Sequence, residues 1–265
     1  MNVQESGQSI PMLDIPPHAL AAMLGAQIEF QKQVGTWDEK VSAFPGYTYI
    51  RWDRVLHHLD MAVQELSEAW DQVEGGWKHH KRSPRPPSRE EVLMEIVDVL
   101  AFSLNAYAFS GGIPDSRYIS AHFLASDARD RSFDKIFALG DGDFSALWEF
   151  LCARRAKIDP TVAVLWGYGD GSHGEPWEKN IAGHINYNRE AMTAIASTHR
   201  GFLLGASRAK RIYELFPPMP GYILQEAVLL TIQLGTAVPD ITAAEFYSAF
   251  MRKVAINNAR QSAKY

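Results

Sequence analysis

From Ile96 to Phe109 the chain is apolar nearly all round, and Asp98 is the one formal charge in that run. A stretch of this kind reads as a helix buried in the middle of a bundle. Its carboxylate is costly to bury, by several kcal/mol as an order of magnitude, roughly, unless something neutralises it. Glu95 stands three residues before Asp98, so on a helix the two acids project from one face. A second pair at the same spacing, Glu65 and Glu68, lies in an earlier segment. There Val55, Leu59, Ala62, Val63, Leu66, Ala69, Trp70 and Val73 recur at helical spacing, and both acids fall outside the stripe. A lone Glu pair on an amphipathic helix is ordinarily a solvated face. The pair inside an apolar helix changes that reading, because four converging acids repel one another and call for a cation. Oxygen-only ligands select a hard ion, Mg²⁺ or Mn²⁺.

The order Glu65-Leu66-Ser67-Glu68 and then Glu95-Ile96-Val97-Asp98 resembles the ExxE and ExxD signature of the all-α nucleoside triphosphate pyrophosphohydrolase superfamily, to which the MazG-like proteins belong. The flanking VDVLAFSLNAY and GWKHHKR look like those of its dimeric all-α dUTPases. The C-terminus is similar to the closing motif of the same family, with Lys253, Asn257, Arg260, Gln261 and Tyr265 at the required spacing. From about 113 to 240 the sequence offers no match to quote.

The resemblance implies an all-α helical bundle of the pyrophosphohydrolase type with a helical insertion. It implies Mg²⁺ held by Glu65, Glu68, Glu95 and Asp98, with Glu65 orienting and deprotonating the attacking water. Phosphates would meet Lys253, Arg260 and the Trp77-Lys78 element, with Lys81 competing for the last role. Asn257 would hold the sugar or phosphate end. Gln27 matches the family's uracil-reading Gln, and Trp37 its aromatic beside the base. Phe30 occupies the place where the family has Asn, which can hydrogen-bond the base as Phe cannot.

The implied reaction is hydrolysis of dUTP to dUMP and pyrophosphate by a homodimer. A dCTP or broader dNTP pyrophosphohydrolase is the alternative, because the acids read metal and phosphate but not the base. A helical protein that binds nucleotide without turning it over is the second.

The composition, 46% hydrophobic and 22% charged over 265 residues, is that of a globular chain able to bury a core. A net charge of -5 does not favour nucleic acid or an anionic membrane. The single cysteine, Cys152, excludes an intrachain disulfide and fits a reducing, cytoplasmic setting. No segment reads as a membrane span or as a signal peptide.

Along the chain, residues 1–17 form a loose leader ending in two prolines, and 18–265 a single catalytic domain with an inserted helical region at about 115–240. His18 to Gln33 reads as a helix. Trp77 to Arg89 is a basic, proline-rich loop suited to phosphate oxygens. His79 and His80 lack a third ligand at zinc spacing. Ser88, with Glu91 three residues on, forms a capping box that starts the second acid helix. Helical pattern is clearest at 144–158, after a DGDF turn. A loop follows at 167–183, then helices at 187–198, 201–215, 224–234 and 243–261.

Overall fold

The structure, a computed structural model, describes residues 13–37, 52–74, 88–111, 177–208 and 221–263. Among these residues all regular structure is helical: α1 (Pro17–Gln33), α2 (Trp52–Glu74), α3 (Arg89–Phe109), α4 (Trp177–Arg208), α5 (Gly221–Gly235) and α6 (Ala243–Ser262). Over the described residues the fold is all-α, as their apolar periodicities require. The basic loop with Lys78 and Lys81, the 144–158 helix, Cys152 and Tyr265 lie outside the described residues.

At the centre is α3. Its N-terminus is fixed by the expected capping box, in which the Ser88 hydroxyl accepts from the Glu91 N–H and the Glu91 carboxylate accepts from the Ser88 N–H, each at 3.2 Å. From Val97 to Phe109 every residue but Phe102 is buried. By length and hydropathy α3 alone among the described helices could cross a membrane, against the expectation that no segment reaches that length. Most of it is nonetheless enclosed by other helices, which is the pattern of a core helix.

Four helices surround it. Glu65 of α2 meets Glu95 and Asp98 of α3, and His58 of α2 meets Phe102 and Phe109, so the two helices run antiparallel and face to face. Helix α4 packs on α2 and α5, antiparallel to α2: Arg200 bonds Asp60 at 2.7 Å, and the Arg189 guanidinium lies over the Trp70 ring. Helix α5 lies on α3, where the Ser103 and Thr231 hydroxyls meet at 3.4 Å inside the core. Helix α6 crosses α3 near its start, tied by Arg89 to Glu245 at 2.5 and 2.9 Å and by Arg252 to Glu90. Helix α1 covers α3 and α6.

Two stretches differ from the sequence reading. Residues 177–183, expected as loop, are already helical, and Gly201 does not interrupt α4, which continues to Arg208. Glycine weakens a helix by only about 1 kcal/mol, and burial of Ile181, Ile185, Met192 and Ile195 against the common core outweighs that. Helices α4 and α5, within the stretch read as an insertion, therefore supply much of the same core as α3.

At Gly235, where α5 ends, a Cβ would come within 2.7 Å of the Phe246 ring, so glycine alone lets α5 and α6 approach this closely.

Candidate metal centre

Glu65, Glu95 and Asp98 each offer a carboxylate oxygen within 4.8 Å of the others. The antiparallel packing of α2 on α3 produces this convergence: Glu65 lies opposite the turn of α3 that carries the other pair. Glu65 and Glu95 are half-buried and Asp98 is buried. The fourth expected ligand, Glu68, stands apart from this trio. It is exposed, and Gln64 donates to it at 3.1 Å. Its charge still reaches the cluster, raising the affinity of Glu65, Glu95 and Asp98 for protons.

The electrostatics describe a site short of positive charge. Burial, and then the neighbouring carboxylates of Asp98, Glu68 and Glu95, push Glu65 up to about 7. Burial and Asp98 also raise Glu95, while Lys253 and a hydrogen bond from Gln72 oppose the rise. Asp98 is raised by burial, although Lys253 and Arg260 pull it down. Three carboxylates this close, with oxygen as the sole donor, suit a hard divalent cation, which would relieve both the desolvation and the mutual repulsion. The donor set therefore fits Mg²⁺ or Mn²⁺.

Helix α6 brings the basic residues. The Lys253 ammonium sits on Asp98 Oδ2, with both side chains largely buried. Asn257 and Arg260 follow at i+4 and i+7 from Lys253, on one face of α6. Asn257 is half-buried and Arg260 exposed. All four closing-motif residues within the described residues, Lys253, Asn257, Arg260 and Gln261, thus belong to the helix that presents a cation to the acids.

About two turns along α3 the same face changes character. Phe102, Asn105 and Phe109 stand at i+4, i+7 and i+11 from Asp98. His58 stacks on Phe109 with ring centres 5.3 Å apart and lies 5.9 Å from Phe102, so it spans the position of Asn105 between them. Trp37 packs on Phe109 at 5.1 Å. Its placement is local: Gly35 turns the chain at a φ of 70°, and the Thr36 and Trp37 N–H groups both donate to the Gln31 carbonyl, at 3.0 and 3.1 Å. Gln27 is buried on α1 rather than facing solvent.

Two polar residues here were not singled out from sequence. His58 and Asn105 are over nine-tenths buried, and His58 Nδ1 and Asn105 Oδ1 have no hydrogen-bond partner among the described residues. Burial, then the charges of His57 and Arg54, drives His58 down to about 3, so its imidazole is neutral. The signal existed: His58 is seven residues before Glu65 and Asn105 seven after Asp98, which puts each on the face of its own acid.

Compared with family models, with curated proteins and with solved structures, the chain matches none of them. The sequence motifs and the site geometry are therefore what bear on function.

Proposed function

We propose that this chain is a divalent-metal-dependent nucleoside triphosphate pyrophosphohydrolase of the all-α type, acting on dUTP as a homodimer. The observation that carries the reading is the convergence of Glu65, Glu95 and Asp98 from two helices, beside a lysine from the closing motif. Bound there, Mg²⁺ would neutralise the triphosphate and lower the pKa of an attacking water.

Glu65 is the residue to accept that water's proton. Burial and the neighbouring acids push its carboxylate up to about 7, and a base poised near the working pH is the most effective one. The water oxygen bonds to the α-phosphorus, the bridging bond to the β-phosphate breaks, and pyrophosphate leaves with dUMP as the other product. Lys253 and Arg260 screen the leaving phosphates, with Lys78 or Lys81 from the basic loop. Asn257 holds the sugar or phosphate end.

The nucleoside would extend along the α2–α3 face toward Trp37 and Gln27. Seven residues of helix separate Asp98 from Asn105, about 10 Å, a span over which a sugar and base can run from the phosphates. His58 Nδ1 and Asn105 Oδ1 are polar groups at that end that lack partners among the described residues, and an unpaired buried polar atom costs about 1–3 kcal/mol. Phe30, where a uracil-reading Asn would stand, favours a second reading in which dCTP or a broader set of dNTPs is the substrate.

Pyrophosphate release from dUTP, dCTP, dTTP, dATP, dGTP and UTP, each with Mg²⁺ and with EDTA, tests the reading. Turnover of dUTP that EDTA abolishes supports it. Better turnover of dCTP keeps the chemistry and changes the base; no turnover of any nucleotide leaves a nucleotide-binding or purely structural helical protein.

A further inference from the structure

Asp98 is the deepest of the three acids, and its oxygen is engaged by an ammonium group. Lys253 also acts on the other two, lowering the proton affinity of Glu65 and Glu95. A divalent ion shared by the same three carboxylates would stand close to that ammonium, and two cations at such a distance in a half-buried site repel strongly. Lysine is suited to yielding its place, since its charge sits at the end of a flexible four-carbon stem. Its neighbours on the α6 face, Asn257 and Arg260, mark where anionic substrate groups would lie in the reading above.

We infer that Lys253 is a resident counter-cation which competes with divalent metal for Asp98 and moves to the substrate phosphates when metal enters. This rests on the metal-centre reading and adds a regulation to it. Metal alone binds weakly because it must displace the ammonium from Asp98. Nucleotide gives the displaced ammonium a new anionic partner, so metal and nucleotide each tighten the other's binding, and by the same factor. The site loads with both or stays closed by its own lysine. A permanent Lys253–Asp98 ion pair, by contrast, would make no such link.

The test titrates Mn²⁺ into the full chain, following free Mn²⁺ by electron paramagnetic resonance, with and without the non-hydrolysable α,β-imido analogue of dUTP. Wild type is compared with Lys253→Met and with the charge-keeping Lys253→Arg. Lys253→Met is expected to bind Mn²⁺ alone about tenfold more tightly, a change of about 1.4 kcal/mol, and the gain in Mn²⁺ affinity brought by the analogue shrinks by a similar factor. Lys253→Arg keeps the competition. Equal or weaker Mn²⁺ binding by Lys253→Met overturns the inference while leaving the metal centre standing. Absence of Mn²⁺ binding in wild type and variants alike removes both.

A measurement on the wild-type chain covers the case in which Lys253→Met does not fold. After ¹³C reductive methylation of lysines, the signal missing from Lys253→Arg is that of Lys253. It is expected to shift on adding Mg²⁺ alone and again with the analogue. A Lys253 signal that stays fixed at saturating Mg²⁺, in a chain shown to bind Mn²⁺, contradicts the exchange.

Discussion

At one end of the α2–α3 face, Glu65, Glu95 and Asp98 crowd three carboxylates together; at the other, the rings of His58, Phe102 and Phe109 gather beside two polar atoms, His58 Nδ1 and Asn105 Oδ1, unpartnered among the described residues. The same antiparallel packing builds both. What differs is how each end meets the cost of burying polar groups. The acid end sets a cation, the Lys253 ammonium, against its carboxylates and raises their proton affinity. The aromatic end gives up charge, holding His58 as a neutral imidazole, and leaves hydrogen-bonding capacity unused. A face with charge-seeking groups at one end and neutral polar groups among rings at the other matches a ligand that is anionic at one end and flat and polar at the other.

Substitution can separate the ends. Glu65→Gln keeps the shape of the acid end but removes its proton acceptor and one charged metal ligand, so metal-dependent turnover should fall by about a hundredfold or more, with part of the loss read as weaker binding of metal and of the imido analogue. Steady-state kinetics and binding of the analogue check this. Unchanged turnover would withdraw Glu65 as the base. At the aromatic end Asn105→Leu should do the reverse. Removing a buried acceptor that has no partner among the described residues should leave thermal stability unchanged or higher, by up to about 1 kcal/mol, while KM rises and kcat is nearly kept. A large loss of stability would show that Asn105 is simply a core residue.

The smallest effect is in the pH dependence of melting without divalent metal. Glu65 lies above its ordinary value, moving from 4.5 to about 7, so the folded chain keeps a proton that the unfolded chain releases. Its contribution is present at low pH and is lost as pH rises through about 7. His58 lies below its ordinary value, moving from 6.5 to about 3. Its contribution is present above 6.5 and is lost as pH falls through that value toward 3. Glu65→Gln should therefore remove a fall in melting temperature between pH 4.5 and about 7, and His58→Phe a rise between about pH 3 and 6.5.

Local chemistry made much of this legible in sequence. Ser88 and Glu91 announced the start of α3, and the apolar run around Asp98 announced its burial. The acid spacing put Glu95 and Asp98 on one face. Three things were not legible because they depend on which faces meet. Glu65 lies outside the apolar stripe of α2, yet it is half-buried because it faces the acids of α3. Gln27 reads as an ordinary polar helix residue until α1 packs over α3 and α6. The Lys253 ammonium on Asp98 joins residues more than 150 positions apart, which no local pattern encodes. Gly183 and Gly201 misled in the opposite direction, since a helix held by its buried face carries glycines that would break an isolated one.

The central claim is that the three carboxylates are a metal centre serving a triphosphate. Crystals grown with Mn²⁺ and the imido analogue, measured at the manganese absorption edge, test it most directly. The account expects an anomalous peak within coordination distance, about 2.0–2.4 Å, of oxygens from Glu65, Glu95 and Asp98, with phosphate oxygens completing the shell and the Lys253 ammonium withdrawn from Asp98. Ordered nucleotide with no peak among these acids, or a peak bound elsewhere while Lys253 still sits on Asp98, would contradict it.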